Sequence, residues 1–258
     1  MYELLDDLEA GELSVQFEGE EPQEVLAWAI ERFGDRVAIS TAFQTDGAVL
    51  LDMAYEIDPA IRIFSIDTGR LPAESHALAE AMRDRYPGLR LELLSPPALP
   101  VNDMVTARGP NLIYKSVENR LLCCHVRKVL PLQAYLANVD GWITGLRRDQ
   151  WATRAELRKV EIDHDHGAIV KLNPLAEWTE DEVWEYVRER ELPYNALYDQ
   201  GYTSIGCAPC TRPTQAGEDV RAGRWWWETN APKECGMHCA VETGGLEHEL
   251  HALVELDD

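Results

Sequence analysis

The sequence predicts an α/β fold in which a mostly parallel sheet is flanked by helices and followed by a loop-rich C-terminal segment. Short apolar runs alternate with amphipathic stretches between residues 22 and 94, in the order helix, strand, helix, strand, helix, strand. This alternation is typical of parallel strands joined by crossover helices. After residue 192, glycine and proline recur at short intervals, which indicates loops.

The first expected helix begins at Pro22 and ends before Gly34, because proline suits the first turn of a helix and glycine suits its end. Apolar runs predict the first three strands, and periodic stretches between them predict two helices. The expected strands cover 36–40, 61–66 and 89–94, and the helices cover 47–57 and 71–86.

The second half of the domain is expected to begin with a proline-rich connection over 96–100. A helical stretch follows over 117–136, which Pro131 should break or kink. Thr179 and Glu182 form a capping-box pattern that predicts the start of a later helix. Short strands are expected near 141–144, 160–162 and 168–172.

Composition and charge exclude several classes of protein. The chain of 258 residues carries a net charge of −22, which argues against general binding to nucleic acid or to anionic membranes. No run approaches the roughly 18 apolar residues of a membrane span. The N-terminus lacks the features of a secretory signal, so we expect a cytoplasmic protein whose thiols stay reduced.

One region runs against the overall charge. Between Arg120 and Lys159 there are eight basic and three acidic residues, which makes this stretch locally +5. A basic island in an acidic chain suits a small polyanionic ligand, although a solvated helix face would show the same pattern.

Small polar residues follow the first two expected strands. Ser40 and Thr41 open a turn that reaches Gly47, and Asp67-Thr68-Gly69-Arg70 follows the next strand. Ligands of open parallel sheets bind at the carboxyl ends of strands, and free N–H groups at a helix start favour an anion. The turn is not a Walker A loop, and an ordinary strand-to-helix turn stays the alternative to a nucleotide site.

Four cysteines form a set of candidate metal ligands. Cys207 and Cys210 have the spacing of one zinc knuckle, but Cys123 and Cys124 are adjacent. Adjacent residues on a helix point about 100° apart, so both thiolates reach a bulky iron–sulfur cubane more easily than one zinc ion. A zinc site and unligated thiols stay open as alternatives. Lys128 shares a helix face with Cys124 and could moderate the charge of a cluster or face a substrate.

Cys235 stands apart from these ligands. Lys233 and His238 are cationic neighbours in sequence that could lower the pKa of its thiol and make it a nucleophile. A surface cysteine in a mobile tail is the alternative, and no function is expected for Cys239. Arg221 and Arg224 suit phosphate or sulfate because a guanidinium donates in a planar fork. We expect the following Trp225-Trp226-Trp227 to serve packing.

Taken together, these motifs resemble the assimilatory adenylyl-sulfate (APS) reductases, a branch of the PAPS/APS reductase family. The resemblance extends from about residue 24 to residue 244. The motifs that carry it are Ser40-Thr41, Asp67-Thr68-Gly69-Arg70, Cys123-Cys124, Thr144-Gly145-Leu146-Arg147-Arg148, Cys207-x-x-Cys210, Arg221-Ala222-Gly223-Arg224 and Lys233-Glu234-Cys235-Gly236-Met237-His238.

The resemblance implies a Rossmann-like adenine nucleotide α-hydrolase fold and a [4Fe-4S] cluster on Cys123, Cys124, Cys207 and Cys210. It implies reduction of APS to sulfite and AMP, in sulfate assimilation and cysteine biosynthesis, through an S-sulfo-cysteine on Cys235. Thioredoxin or a similar dithiol is the implied reductant, and a homo-oligomer is implied as well. The substrate-binding residues that it implies are Ser40, Thr41, Asp67, Thr68, Gly69, Lys128, Gly145, Arg147, Arg154, Arg221, Arg224 and His238.

We therefore expect three segments. Residues 1–21 form an acidic, loosely docked N-terminal arm. Residues 22–228 form the α/β domain that binds nucleotide and cluster, and residues 229–258 form a mobile tail that carries the nucleophile.

Three alternatives to APS reduction stay open. One is PAPS reduction, and the second is a cluster-containing ATP-pyrophosphatase such as a tRNA thiolation enzyme. That class has a Ser-Gly-Gly-x-Asp-Ser loop, which residues 40–47 lack. The third is a zinc-stabilised interaction protein in which Cys235 has no role.

Overall fold

The structure, a computed structural model, describes residues 5–151, 154–228 and 237. Within these residues, six strands form one sheet. Five strands are parallel, and the edge strand β5 is antiparallel to its neighbour β6. The strands are β1 (Val37–Ser40), β2 (Arg62–Ile66), β3 (Arg90–Leu94), β4 (Gly141–Ile143), β5 (Val160–Asp163) and β6 (Ile169–Leu172). Their order in the sheet is β3-β2-β1-β4-β6-β5, which confirms the predicted mostly parallel sheet.

The helices cover both faces of this sheet, as crossover connections between parallel strands require. They are α1 (Asp7–Phe17), α2 (Pro22–Phe33), α3 (Thr45–Ile57), α4 (Ala73–Arg85), α5 (Ala98–Arg108), α6 (Val117–Cys124), α7 (Leu130–Leu136) and α8 (Glu180–Glu189). The predicted capping box of Thr179 and Glu182 is present at the start of α8. In the described part of the chain, none of these helices has the length and apolar character needed to cross a membrane.

The N-terminal arm differs from its expected loose docking. Asp6 caps α1 through the backbone N–H of Glu9, and the Glu9 carboxylate accepts from the Asp6 N–H in return. Ala10 and Phe17 are buried in the main core, and α1 packs against β5. The expectation of a loosely docked arm is therefore wrong for Asp7–Phe17. The acidic composition suggested an exposed arm, but this segment forms a capped helix whose few apolar residues pack on the core. The proposed boundary at residue 21 stays a prediction.

The long helical stretch before β4 changes its geometry before Pro131. A π-helical segment, His125–Val129, lies between α6 and α7, and Pro131 is the second residue of α7. Proline cannot donate the usual hydrogen bond to the preceding turn, and a wider turn upstream accommodates that loss. The stretch is thus two short helices, and Cys123 and Cys124 are the last two residues of α6.

The strand order places a crevice between β1 and β4. The chain moves outward from β1 to β2 and β3, and then returns to place β4 on the other side of β1. Ligands of such sheets bind beyond the carboxyl ends of the strands at this reversal. Ser40 ends β1, and Thr144 directly follows β4, so both residues lie at the carboxyl ends of the two strands that border this crevice.

Candidate active site

A cleft of about 190 Å³ lies at the carboxyl ends of β1, β2 and β4. Its walls come from the turns after these strands and from the loop region that follows α8. Ser40, Thr41, Thr68 and Gly145 line it from the sheet side. The position agrees with the crevice that the strand order defines.

The turn between β1 and α3 is held by close packing. Gly47 has no room for a side chain, because a Cβ there would lie 2.2 Å from Thr41 Oγ1. The same Oγ1 accepts the backbone N–H of Phe43 at 3.1 Å, and Phe43 has a φ of +54°, which is rare outside glycine. The side-chain oxygen of Gln44 accepts the N–H of Ile205, which ties this turn to the loop region. The turn therefore presents the N-terminus of α3 to the cleft in one fixed conformation.

Arg147 lies in the cleft wall with two carboxylates. Its Nε is 2.6 Å from Asp46 Oδ1, and its Nη1 is 2.5 Å from Asp149 Oδ1. Burial raises the pKa of Asp46, and the charge of Arg147 opposes that rise. Gly145 permits the approach, because a Cβ there would lie 2.8 Å from Asp46 Cβ. Much of the positive charge of Arg147 is therefore already balanced inside the protein.

The four candidate ligand cysteines line a second, smaller cavity beside the cleft. Cys123 and Cys124 end α6, and Cys207 and Cys210 flank the short turn that follows residue 206. All four are buried, and Thr68 Oγ1 lies 3.2 Å from Cys207 Sγ. The structure thus brings together two cysteine pairs that are more than 80 residues apart in sequence.

Burial and neighbouring charges oppose each other at these thiols. Burial raises the pKa of the Cys123 thiol, and the nearby Arg127 works against that rise. Burial and the neighbouring Cys207 raise the pKa of Cys210 to about 11, against the charge of Lys128. The nearby cations therefore do not offset the cost of burying thiolates in this cavity, and a further positive charge would be needed to keep the thiols ionised.

The cleft and the cysteine cavity share part of their walls. Lys128 and Arg224 line both of them. Lys128 lies in the π-helical segment directly after the Cys123-Cys124 pair, and Arg224 Nη1 donates to Ser204 Oγ at 3.2 Å. Two cations therefore stand between the cysteines and any ligand of the cleft.

Most of the sequence-predicted binding residues meet in the cleft. Asp67 and Gly69 do not line it, because the Asp67 carboxylate instead contacts His76 Nε2 and accepts the N–H of Gly69. Cys235 and His238 lie outside the described residues, whereas Met237 is described and lines the cleft. The residues brought together are Ser40, Thr41, Thr68, Lys128, Gly145, Arg147, Arg154, Arg221 and Arg224.

Sequence reasoning missed other residues of the cleft. Asp46 belongs to the turn that was singled out, so its pairing with a cation could have been suspected. Tyr198, Glu180 and Ser204 also line the cleft, but none of these three residues belongs to a motif that indicated a binding site. Burial raises the pKa of Glu180 and of Tyr198, which marks this wall of the cleft as poor in water.

Comparisons with known proteins agree with this geometry. Residues 36–213 match the model of the phosphoadenosine phosphosulfate reductase domain. An adenosine 5'-phosphosulfate reductase of Allochromatium vinosum is 47% identical over 223 residues, which is 86% of each chain. The reductase of that name from Neisseria meningitidis serogroup B is 44% identical over 77% of this chain and 80% of its own length.

Solved structures show the same fold. The phosphoadenylyl-sulfate (PAPS) reductase of Candida auris superposes with a TM-score of 0.71 at 28% identity, over 82% of this chain and all of its own. An FMN adenylyltransferase of Candida glabrata, at 15% identity and a TM-score of 0.51, covers 92% of this chain and 82% of its own and supports the fold alone. The predicted nucleotide α-hydrolase-like fold is confirmed. With its family-model match and its relatives above 40% identity, the chain belongs to the phosphoadenosine phosphosulfate reductase family of oxidoreductases.

Proposed function

We propose that this chain reduces adenylyl sulfate to sulfite and AMP in sulfate assimilation. The relatives named adenosine 5'-phosphosulfate reductase support this activity. One structural observation carries the proposal: Lys128 and Arg224 line both the cleft and the four-cysteine cavity. A nucleotide whose anionic end lies at these cations would place its sulfate beside the cysteines.

The cations that line the cleft suit the anionic end of adenylyl sulfate. Lys128 and Arg224 mark the end that suits the phosphate and sulfate groups, because cations offset the repulsion between two anionic reactants. The N-terminus of α3 adds backbone N–H groups for a phosphate oxygen. Arg154 and Arg221 also line the cleft and complete the proposed cationic set.

Cys235 is the proposed nucleophile. Met237, two residues further along the chain, lines the cleft, which supports delivery of this part of the chain to the substrate. The Cys235 thiolate attacks the sulfate sulfur, an S–S bond forms, and the bond from sulfur to the phosphate oxygen breaks. AMP leaves with the bonding electron pair, and Cys235 carries a sulfonate group.

A dithiol such as thioredoxin is the proposed reductant. Its thiolate attacks Cys235 Sγ, a mixed disulfide forms, and sulfite leaves with the electron pair of the bond that breaks. The second thiol of the reductant then resolves the mixed disulfide and restores the Cys235 thiolate. The dithiol becomes a disulfide, so it supplies the two electrons that reduce the sulfate sulfur.

The four cysteines of the second cavity support a proposed thiolate-ligated centre. Four buried thiols surround this cavity, whose walls also contain Arg127 and Lys128. Among the described residues, no three His, Cys, Asp or Glu side chains are grouped to hold a metal ion, so the proposal rests on the chemistry of the four thiols. We propose that a [4Fe-4S] cluster is held by Cys123, Cys124, Cys207 and Cys210. When bound, such a cluster supplies the positive partner that the thiolates need and a fixed charge distribution beside the cleft.

A labelling experiment tests the proposed chemistry. The full chain is incubated with adenylyl [³⁵S]sulfate without reductant, and the label on protein is located by peptide mapping. We expect one label per chain on Cys235, which reduced thioredoxin releases as sulfite. Absence of label on Cys235, or equal labelling of the Cys235→Ser variant, would contradict the mechanism.

Reduction of PAPS is the second candidate. It is favoured by the description of the matching family and by the structural likeness to the Candida auris PAPS reductase. Parallel assays with APS and PAPS, each with thioredoxin, separate the two. A higher kcat/KM for PAPS would replace the proposed substrate and leave the proposed site unchanged.

A further inference from the structure

Trp225 forms part of the wall of the cysteine cavity and is held in a strained conformation. Its side chain is 1% exposed, and its φ is +40°, a region that bulky residues rarely adopt. Its backbone N–H donates to the carbonyl of Cys210 at 3.0 Å. Strain of this kind persists only where surrounding contacts over-determine the conformation, and it concentrates at functional sites.

Two guanidinium groups lie over the Trp225 indole. The Cζ atom of Arg120 is 4.5 Å from the ring centroid, and that of Arg224 is 4.7 Å from it. Both distances are within the range of a cation–π interaction. The indole therefore connects Arg120, which is fully buried, with Arg224, which lines the cleft.

Arg120 is fixed in turn by a buried ion pair. Its Nε donates to Glu228 Oε1 at 3.1 Å, and its Nη2 donates to Glu228 Oε2 at 2.9 Å. The two side chains are 0% and 4% exposed. Glu228 also donates its backbone N–H to the carbonyl of Trp225 at 2.9 Å. A buried ion pair is weak evidence for a role in stability, because an apolar pair of similar volume is often as stable, so another role is indicated.

The loop of residues 204–206 restricts the Arg224 guanidinium on the side away from the Trp225 ring. A Cβ on Gly206 would lie 2.5 Å from Arg224 Nη2 and 2.7 Å from its Cζ, so the guanidinium packs directly on that backbone. Its Nη1 donates to Ser204 Oγ. The guanidinium is thus confined between the loop of residues 204–206 and the Trp225 ring.

We propose that Arg120 and Glu228 are positioning residues for Arg224. Their ion pair holds Trp225 in its strained conformation, and the indole holds the Arg224 guanidinium at the boundary between the cysteine cavity and the cleft. Neither residue touches the cleft itself. The inference rests on the proposed function, because it assigns Arg224 to the anionic end of adenylyl sulfate.

Affinity for adenylyl sulfate tests this role without turnover. Calorimetric titrations use the full chain with Cys235→Ser, so that the nucleotide binds but does not react. Glu228→Gln leaves the shape of the side chain intact and removes its charge, and we expect about tenfold weaker binding. Arg120→Lys keeps the positive charge but loses the two-nitrogen contact with the Glu228 carboxylate, so we expect affinity for adenylyl sulfate to fall by only about threefold.

A double variant keeps the test decisive if a single variant fails to fold. Glu228→Gln leaves a buried cation without its partner, whereas Arg120→Met combined with Glu228→Leu removes both charges and replaces the pair by apolar side chains of similar size. We expect the double variant to fold and to bind adenylyl sulfate about tenfold more weakly. Wild-type affinity in this variant would overturn the proposal.

Asp52→Asn is a matched control, because Asp52 is a buried carboxylate outside the cleft. It accepts from the hydroxyls of Tyr86 and Tyr186 and from Arg190. Its neutralisation should lower the melting temperature and leave the affinity unchanged. An equal loss of affinity in this control would show a general effect and would contradict the positioning role. If the Cys235→Ser chain with all other residues intact does not bind adenylyl sulfate, the proposed function itself fails.

Discussion

The packing of Gly47 against Thr41 gives the sharpest prediction for the substrate cleft. In Gly47→Ala the new Cβ would lie 2.2 Å from Thr41 Oγ1 and 3.1 Å from Thr41 Cβ. Relief requires the Thr41 side chain to move, which leaves the buried N–H of Phe43 without its acceptor, at a cost of about 1–3 kcal/mol. Local overpacking adds about 1–3 kcal/mol, and the better helix propensity of alanine returns about 1 kcal/mol.

The expected net loss for Gly47→Ala is therefore about 3 kcal/mol, or a fall in Tm of about 6–12 °C for a chain of this size. Because the turn presents the start of α3 to the cleft, affinity for adenylyl sulfate should fall at least tenfold, measured in the Cys235→Ser background. Thermal unfolding and calorimetric titration measure the two effects separately.

Gly11→Ala is the control for this substitution. Gly11 lies inside α1, and the nearest atom to its added Cβ is Arg158 Nη1 at 3.8 Å. Alanine there should stabilise the protein by up to about 1 kcal/mol and leave nucleotide binding unchanged. If Gly47→Ala is as stable as the wild type and binds adenylyl sulfate equally well, the assignment of this turn to the nucleotide site is wrong.

Three further predictions follow. Lys128→Met should lower kcat/KM for adenylyl sulfate about 100-fold, as loss of one preorganised charge-stabilising group does, and a loss below threefold would exclude Lys128 from the site. Cys207→Ser should abolish stoichiometric iron and sulfide in protein purified without oxygen, whereas unchanged iron content would refute the proposed ligand set. Asp163 is buried, which favours a higher pKa, but its hydrogen bonds with His166 and Trp142 and nearby charges hold its pKa below the ordinary value. The ionised Asp163 therefore stabilises the fold above pH 3.8, and this stabilisation is lost as the pH falls through the pKa of the folded state. Asp163→Asn should lower the free energy of unfolding by about 3 kcal/mol at pH 7. Urea unfolding at several pH values should show that the variant loses less stability in acid than the wild type does.

Elements with local signals were predictable from the sequence. The helix from Pro22 to Phe33 has proline in its first turn and glycine directly after its end, and the structure gives the same bounds. Helix α5 was missed, because Pro97 and Pro100 suggested a connection. Both prolines are compatible with a helix start, since Pro97 is the residue before the helix and Pro100 lies in its first turn.

The sequence indicated which residues line the cleft better than it indicated the contacts that these residues make. Turn and strand-end motifs located Ser40, Thr68 and Gly145, which line the cleft. Arg147 was expected to face the substrate, but its binding to Asp46 joins residues 101 positions apart. The ion pair of Arg120 and Glu228 spans 108 positions. No local pattern reports such contacts, because they exist only once the sheet and its loops have assembled.

The reaction itself gives the most direct test that the cleft and the cysteine cavity serve one chemistry. The full chain, purified without oxygen, is mixed with adenylyl sulfate and reduced thioredoxin, and sulfite and AMP are quantified together. We predict that multiple turnovers require the reductant and give equal amounts of sulfite and AMP, whereas without reductant each chain releases one AMP and no sulfite. Release of more than one AMP per chain without sulfite, or no consumption of adenylyl sulfate by protein that contains its full iron and sulfide, would contradict the proposed function.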